Sequence, residues 1–238
     1  MTVALVAAGL AGASTASAAA QSAGLGTIKG RVRLSGKLPG NAIIRMGVDP
    51  MCAAINKGKR VVQEIVVANA EGDLANVFVT VQGAFPRVPV PPEPVTIDQG
   101  GCVYKPRVVG AQVGQTLQVR NSDPLLHNVH SLSAHTNSFN IGQPMLGMVY
   151  QFRLKDEEIM LPLKCDVHRW MTAYIGVVTH PYFAVSGSGG TFEIAHVPVG
   201  TYTIKTWHER YGNLTQAVRV RSGATTTVNF AYTGAEHP

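Results

Sequence analysis

Nearly every apolar run in this chain is short, alternates with polar residues and stops at a glycine or a proline. GTIKGRVRLS (26–35), TLQVRN (116–121), VYQFRL (149–154) and TAYIGVVTH (172–180) put apolar side chains at alternate positions. That is the period of a strand with one buried face. An amphipathic helix needs apolar residues at 3.6-residue spacing, and no segment sustains it, so no helix is predicted. Further strands are expected at VVQEIVVA (61–68), ANVFVTVQG (75–83), 103–109 and LLHNVHSL after the NSDP turn (121–124). A closing meander runs through TFEIAHVPVGTYTIKTWHE, 217–221 and TTTVNFAY, while KDEEIM fits a strand or a turn of helix. FPRVPVPPEPV (85–95) carries five prolines; lacking those N–H groups it cannot be a central strand and is expected to be a stiff linker. The chain is therefore expected to be all-β, and its 238 residues allow one large or two small domains.

The first two dozen residues, MTVALVAAGLAGASTASAAAQSAG, carry no charge. An apolar run followed by small residues, with Ala16-Ser17-Ala18 as an A-x-A site, fits a secretory signal peptide over 1–23. Periplasmic or extracellular localisation is the expectation, and no later stretch reaches the roughly 18 apolar residues of a membrane span. Export bears on the 3 cysteines, because paired thiols oxidise there and an odd one needs a reason to stay reduced. Cys52 and Cys102 lie in loop sequence without metal-binding neighbours. A bridge between them would close a loop of about 50 residues, worth roughly 4 kcal/mol. Cys165 is then left over. The net charge of +6 comes from scattered Lys and Arg with no basic helix, which excludes nucleic-acid binding and leaves a mild attraction to anionic partners or envelope surfaces.

KCDVHRWM (164–171) sets Cys165, His168 and Met171 three residues apart. On an extended strand His168 would face away from the other two. The three converge only in a tight loop, and LPLK before and TAYIGVV after supply strands to enter and leave one. A fourth ligand must come from elsewhere, and His127, just past the NSDP turn, is the candidate. Thiolate and thioether are soft and imidazole is borderline; two imidazoles, one thiolate and a weak thioether select copper. Zinc has little use for methionine. His130 has the opposite strand parity to His127 and is not expected to bind. Met145 in IGQPM is a rival thioether. His135, His180, His196, His208 and His237 are expected to be surface or strand residues.

Residues 91–180 resemble a cupredoxin, the plastocyanin-like blue-copper fold. YKPRVVGAQVGQTLQVRNSDPLLHNVH is similar to that family's approach to its first ligand, and KCDVHRWM to its ligand loop. The resemblance implies a Greek-key β-sandwich holding one copper ion through His127, Cys165, His168 and axial Met171. Asn121 and Asn128 would stand behind the ligands, with the Asn128 N–H donating to the sulfur of Cys165. Only Arg169 and Trp170 separate His168 from Met171, fewer residues than in plastocyanins. That short spacing is closer to the binuclear copper loop of cytochrome oxidase, but the second cysteine of that loop is missing, so a mononuclear centre is expected. It also places Trp170 over the exposed edge of His168. TFEIAHVPVGTYTIKTWHERYG, GTIKGRVRLSGKLPG and ANVFVTVQGA resemble the carboxypeptidase regulatory-like, transthyretin-like sandwich. Its strands would then fall in 25–90 and 181–233 with the cupredoxin inserted between them; two sequential β-domains is the other arrangement.

This reading implies a one-electron carrier with a redox partner, such as a cytochrome or a membrane electron-transfer complex. Copper storage or delivery, or a cell-surface β-sandwich binding module with a structural metal, is the alternative. No small-molecule substrate and no catalysis are expected: no Ser-His-Asp order, phosphate loop or carboxylate pair stands out, and four filled ligand positions leave none open.

Overall fold

The Leu25–Leu34 strand buries Ile28, Val32 and Leu34 on one face and forms the middle of a sheet. It pairs antiparallel with Thr191–Pro198 and parallel with Thr225–Thr227 and Phe230–Tyr232. A computed structural model describes residues 24–237; the leader and its A-x-A site lie outside them. A second sheet runs in the order Phe183–Val185, Phe78–Gln82, Gly200–His208 and Gly212–Val220. Between these two sheets lie Ile28, Val32, Leu74, Val79, Val81 and Ile204, all buried. The sandwich is thus closed by strands from both ends of the chain.

Strands from 95 to 178 form two further sheets. One runs Val108–Gln112, Thr172–Val178, Glu158–Lys164, His127–Ser131 and Asn140–Gln143. The other runs Tyr104–Lys105, Val95–Gln99, Thr116–Asn121 and Val149–Arg153. Their shared core includes Ile97, Leu117, Val119, Val129, Leu163 and Ile175, and it extends to Cys165 and Met171. Burial of each such aliphatic side chain contributes about 1.5–3 kcal/mol. The chain is nearly all β.

The two sandwiches meet at a notch made by glycine. Gly110 and Gly176 are register partners, and the Phe78 ring packs over both. A Cβ on Gly176 would lie 2.4 Å from the Phe78 ring, and one on Gly110 would lie 2.4 Å from Phe183. Val108, Met160 and Val178 complete the seam, and Arg107 forms a two-pronged ion pair with Glu209 beside it. At 10% side-chain exposure for each partner, that pair is largely removed from water and fixes orientation.

Three sequence expectations are corrected. Residues 61–68 are not a strand; they make only the single bridges Ile43–Val62 and Ala68–Leu74. The reason is local: the Asn41 carboxamide donates to the Val66 carbonyl at 2.7 Å and accepts from its N–H at 3.1 Å, in place of a ladder partner. Residues 103–109 split at Pro106, which has no N–H for a ladder. A helix does exist, Pro50–Ile55, preceded by a 3-10 turn at Met46–Val48. Asp49 caps it by accepting the Met51 and Cys52 N–H groups, and Pro50 sits at its first position, where no N–H is needed.

Of the histidines expected at the surface or in strands, His208 ends the Gly200–His208 strand, buried at 1% exposure, whereas His180 is corrected: it lies outside the strands and is buried at 5%. His208 Nδ1 accepts the Arg210 N–H at 3.1 Å, while its Nε2 has no partner among the described residues. Burial first, then the positive charges of Arg107 and Arg210, push its pKa down to about 4. An unfolded imidazole titrates near 6.5. The fold's preference for neutral His208 is therefore fully present above pH 6.5 and lost as pH falls toward 4. Urea titrations at pH 7 and pH 4 should show about 3 kcal/mol of His208-linked loss, absent in His208→Phe.

Candidate metal centre

His127 opens the His127–Ser131 strand, and the turn before it is built by Asn121. The Asn121 carboxamide accepts the Asp123 N–H at 2.9 Å and donates to the carbonyls of Leu125 and Gln143 at 2.9 and 2.8 Å. Asn121 therefore sets where the strand starts and hence where the imidazole points. The other side chains come from the loop Cys165–Met171, which begins where the ladder of Glu158–Lys164 with Thr172–Val178 ends at Lys164 and Thr172. The Met171 N–H donates to the His168 carbonyl at 2.9 Å, and the His168 N–H points at Cys165 Sγ at 3.4 Å. These bonds curl the segment so that Cys165 and His168 share its inner side.

The ligand atoms of His127, Cys165 and His168 lie within 4.8 Å of one another, all on buried residues. His127 Nδ1 is 3.0 Å from His168 Nδ1, and Cys165 Sγ is 3.7 Å from His168 Nδ1. Donors each about 2.0–2.3 Å from one central ion are separated by such distances, so the trio fits a single ion with soft character. Met171 is buried beside Cys165 in the same cluster. Met145 is 64% exposed and takes no part. His130 faces away and pairs with Asp166 at 3.1 Å. His135 and His196 are exposed.

Asn128 backs the site in two ways. Its backbone N–H donates to Cys165, and its side chain accepts the Asp166 N–H at 2.6 Å and donates to Asp166 Oδ2 at 2.9 Å. It thus fastens the cysteine loop to the histidine strand. Tyr104 donates its hydroxyl to the Asn128 carbonyl at 2.7 Å. Burial alone would raise the Cys165 thiol, but hydrogen bonds from His127 and from the N–H groups of Asn128, His168 and Val167 hold it below its ordinary value. Burial likewise pulls His127 down, and its bonds to Asp123 and Cys165 outweigh that, holding it at about 9. Without metal, the thiolate and imidazolium stabilise each other. The thiolate is the form that binds a cation.

Two carboxylates were missed in the sequence. Asp123 Oδ2 lies 2.9 Å from His127 Nε2 and also accepts the Cys102 N–H at 2.7 Å. Asp49 Oδ2 lies 3.1 Å from His168 Nε2. Each imidazole thus aims Nδ1 inward and Nε2 at a carboxylate. The NSDP turn put Asp123 four residues before His127, a spacing that invites such a pair; Asp49, 119 positions from His168, gave no signal. The expected exposed edge of His168 is corrected as well. The residue is 1% exposed, with the Trp170 ring 5.1 Å away and Asp49 with its helix across the outer side. Trp170 Nε1–H donates to the Cys102 carbonyl at 2.8 Å. Cys52 and Cys102 form a disulfide, leaving Cys165 as the free thiol among the described residues.

No protein-family model matches the chain, and no curated protein matches it. Among solved structures it is similar to the copper-containing nitrite reductase of Thermus scotoductus SA-01, at 21% identity and a TM-score of 0.32, over 39% of this chain and 25% of that one. It is also similar to a purple cupredoxin from Nitrosopumilus maritimus, at 22% identity and a TM-score of 0.31, over 34% of this chain and 97% of that one. A mutant of amicyanin in the Cu(I) state matches at 18% identity and a TM-score of 0.31, over 42% of this chain and 97% of that one. The chain thus spans a quarter of the nitrite reductase, and its own ligand distances carry the site assignment.

Proposed function

We propose that this chain is a cupredoxin-like copper protein that carries single electrons through one ion that His127, Cys165 and His168 would hold, with the buried Met171 as a fourth, thioether donor. The observation that carries the reading is the convergence of two Nδ1 atoms and one thiol sulfur, all buried, within 4.8 Å. When bound, copper would supply a one-electron couple. The chain's residues would hold both oxidation states in one geometry: Asn121 and Asn128 brace the two ligand segments, and the buried loop has little room to rearrange. In this reading the protein catalyses no reaction, and the flanking sandwich is a regulatory-like, transthyretin-like scaffold.

The disulfide supports export to an oxidising compartment, periplasmic or extracellular. Leu126, Met145, Leu146 and Val167 are exposed on the connections at the ligand end of the sandwich. Exposed apolar side chains at that end would suit brief docking of a redox protein, such as a cytochrome or an envelope-bound electron-transfer complex. Burial of all three ligands favours retention of the ion over delivery. The test is to mix the copper-loaded protein with a reduced c-type cytochrome and, separately, with an apo copper-acceptor protein. Reversible one-electron exchange with the ion retained supports the carrier; loss of Cu(I) to the acceptor without electron exchange replaces it with a storage or delivery role.

A further inference from the structure

The segment Met46–Ile55 belongs to none of the four sheets, yet it lies against the candidate metal centre. Asp49 is its point of contact and uses its two oxygens differently. Oδ1 accepts the N–H groups of Met51 and Cys52 at 2.9 and 3.0 Å and so caps the helix; Oδ2 lies 3.1 Å from His168 Nε2. The helix is tied down by Cys52, bonded to Cys102. Cys102 in turn donates its N–H to Asp123, the carboxylate on the other imidazole. Cys52 Sγ itself is 3.5 Å from His168 Nε2. A circuit of covalent and hydrogen bonds thus joins the outer nitrogens of both histidines, and the side chain of Asp49, 28% exposed, stands between His168 and water.

We propose that Asp49 is a positioning residue for the metal: it holds the His168 ring with its proton on Nε2 and its Nδ1 lone pair turned inward, and its charge favours the more positive state of the ion. Carboxylates behind metal-bound histidines raise ligand basicity and fix ring orientation. The inference rests on the copper reading above. Its consequence is that His168, covered by a segment from outside the two metal-site sheets, is not where a partner touches the ligand set.

A bare helix cap is the competing role, and two variants separate it. Asp49→Ser keeps a good cap but is too short to reach His168; Asp49→Asn keeps the cap through its one carbonyl oxygen but turns an NH2 donor toward His168 Nε2, removing both the charge and the acceptor. Cu(II) and Cu(I) affinities are measured with competing chelators, and the potential by titration, on the full chain. The expected result is Cu(II) binding weakened about 10–100-fold in Asp49→Ser, with Cu(I) binding changed much less. The potential then rises by about 59 mV for each tenfold change in the affinity ratio, and Asp49→Asn shifts the ratio at least as far as Asp49→Ser, because its NH2 group opposes a proton on Nε2. Should Asp49→Ser fail to fold, Asp49→Asn alone carries the test through the same ratio. A wild-type protein that binds copper while the variants keep its affinity ratio within about threefold overturns the role of Asp49 alone. A wild-type protein that binds no copper overturns the metal reading with it.

Discussion

Cys165→Ser is expected to abolish the intense visible absorption that the proposed site gives the copper-loaded protein and to weaken copper binding by orders of magnitude, with the chain still folding. The band requires charge transfer from a thiolate sulfur to Cu(II), and a serine hydroxyl is neither soft nor ionised at neutral pH. Folding survives because serine is nearly isosteric, and the N–H groups of Asn128, His168 and Val167 that point at the sulfur can point at an oxygen instead. Absorbance, with metal content measured on the same sample, gives the answer. A variant that keeps the band would assign the colour to another residue.

Removing the disulfide, by Cys52→Ala with Cys102→Ala, is expected to lower stability by about 4 kcal/mol in the chain-entropy picture. The bridge closes a loop of sequence separation 50, and in the unfolded chain that constraint disappears. The loss has a local component, because both half-cystines are fully buried with Met46 and Leu125 against them. It also loosens the helix that carries Asp49, so Cu(II) affinity falls with stability. Urea denaturation of metal-free protein measures the first effect. A loss below about 1 kcal/mol would mean that the 46–56 segment is held by its apolar contacts instead.

The parts of the centre that were readable in the sequence are those whose chemistry is local. Cys165, His168 and Met171 sit in one short loop, and soft-ligand character can be read from residue type alone. His127 followed from the turn before it. The disulfide followed from elimination, since neither partner had a metal-binding neighbour. Asp49 was hidden because its role depends on a contact that only the folded chain makes. The helix it caps was missed because six residues, Pro50–Ile55, are too few to display a 3.6-residue period. VVQEIVVA has strand-like composition, but pairing needs a free partner edge, and Asn41 occupies its backbone instead. The alternating strands at 26–35, 116–121 and 172–180 were legible because each buries one face, which imposes the period of two on its sequence. Gly110 and Gly176 looked like ordinary strand glycines; only their shared contact with aromatic rings gives them a reason to lack a side chain.

The most direct measurement is an anomalous-difference map, at the copper absorption edge, from crystals of the copper-loaded protein. A single peak per chain is expected, within bonding distance of His127 Nδ1, Cys165 Sγ and His168 Nδ1. A peak on the outer, Nε2 side of either ring, two peaks, or none at the Cys165 sulfur would contradict it.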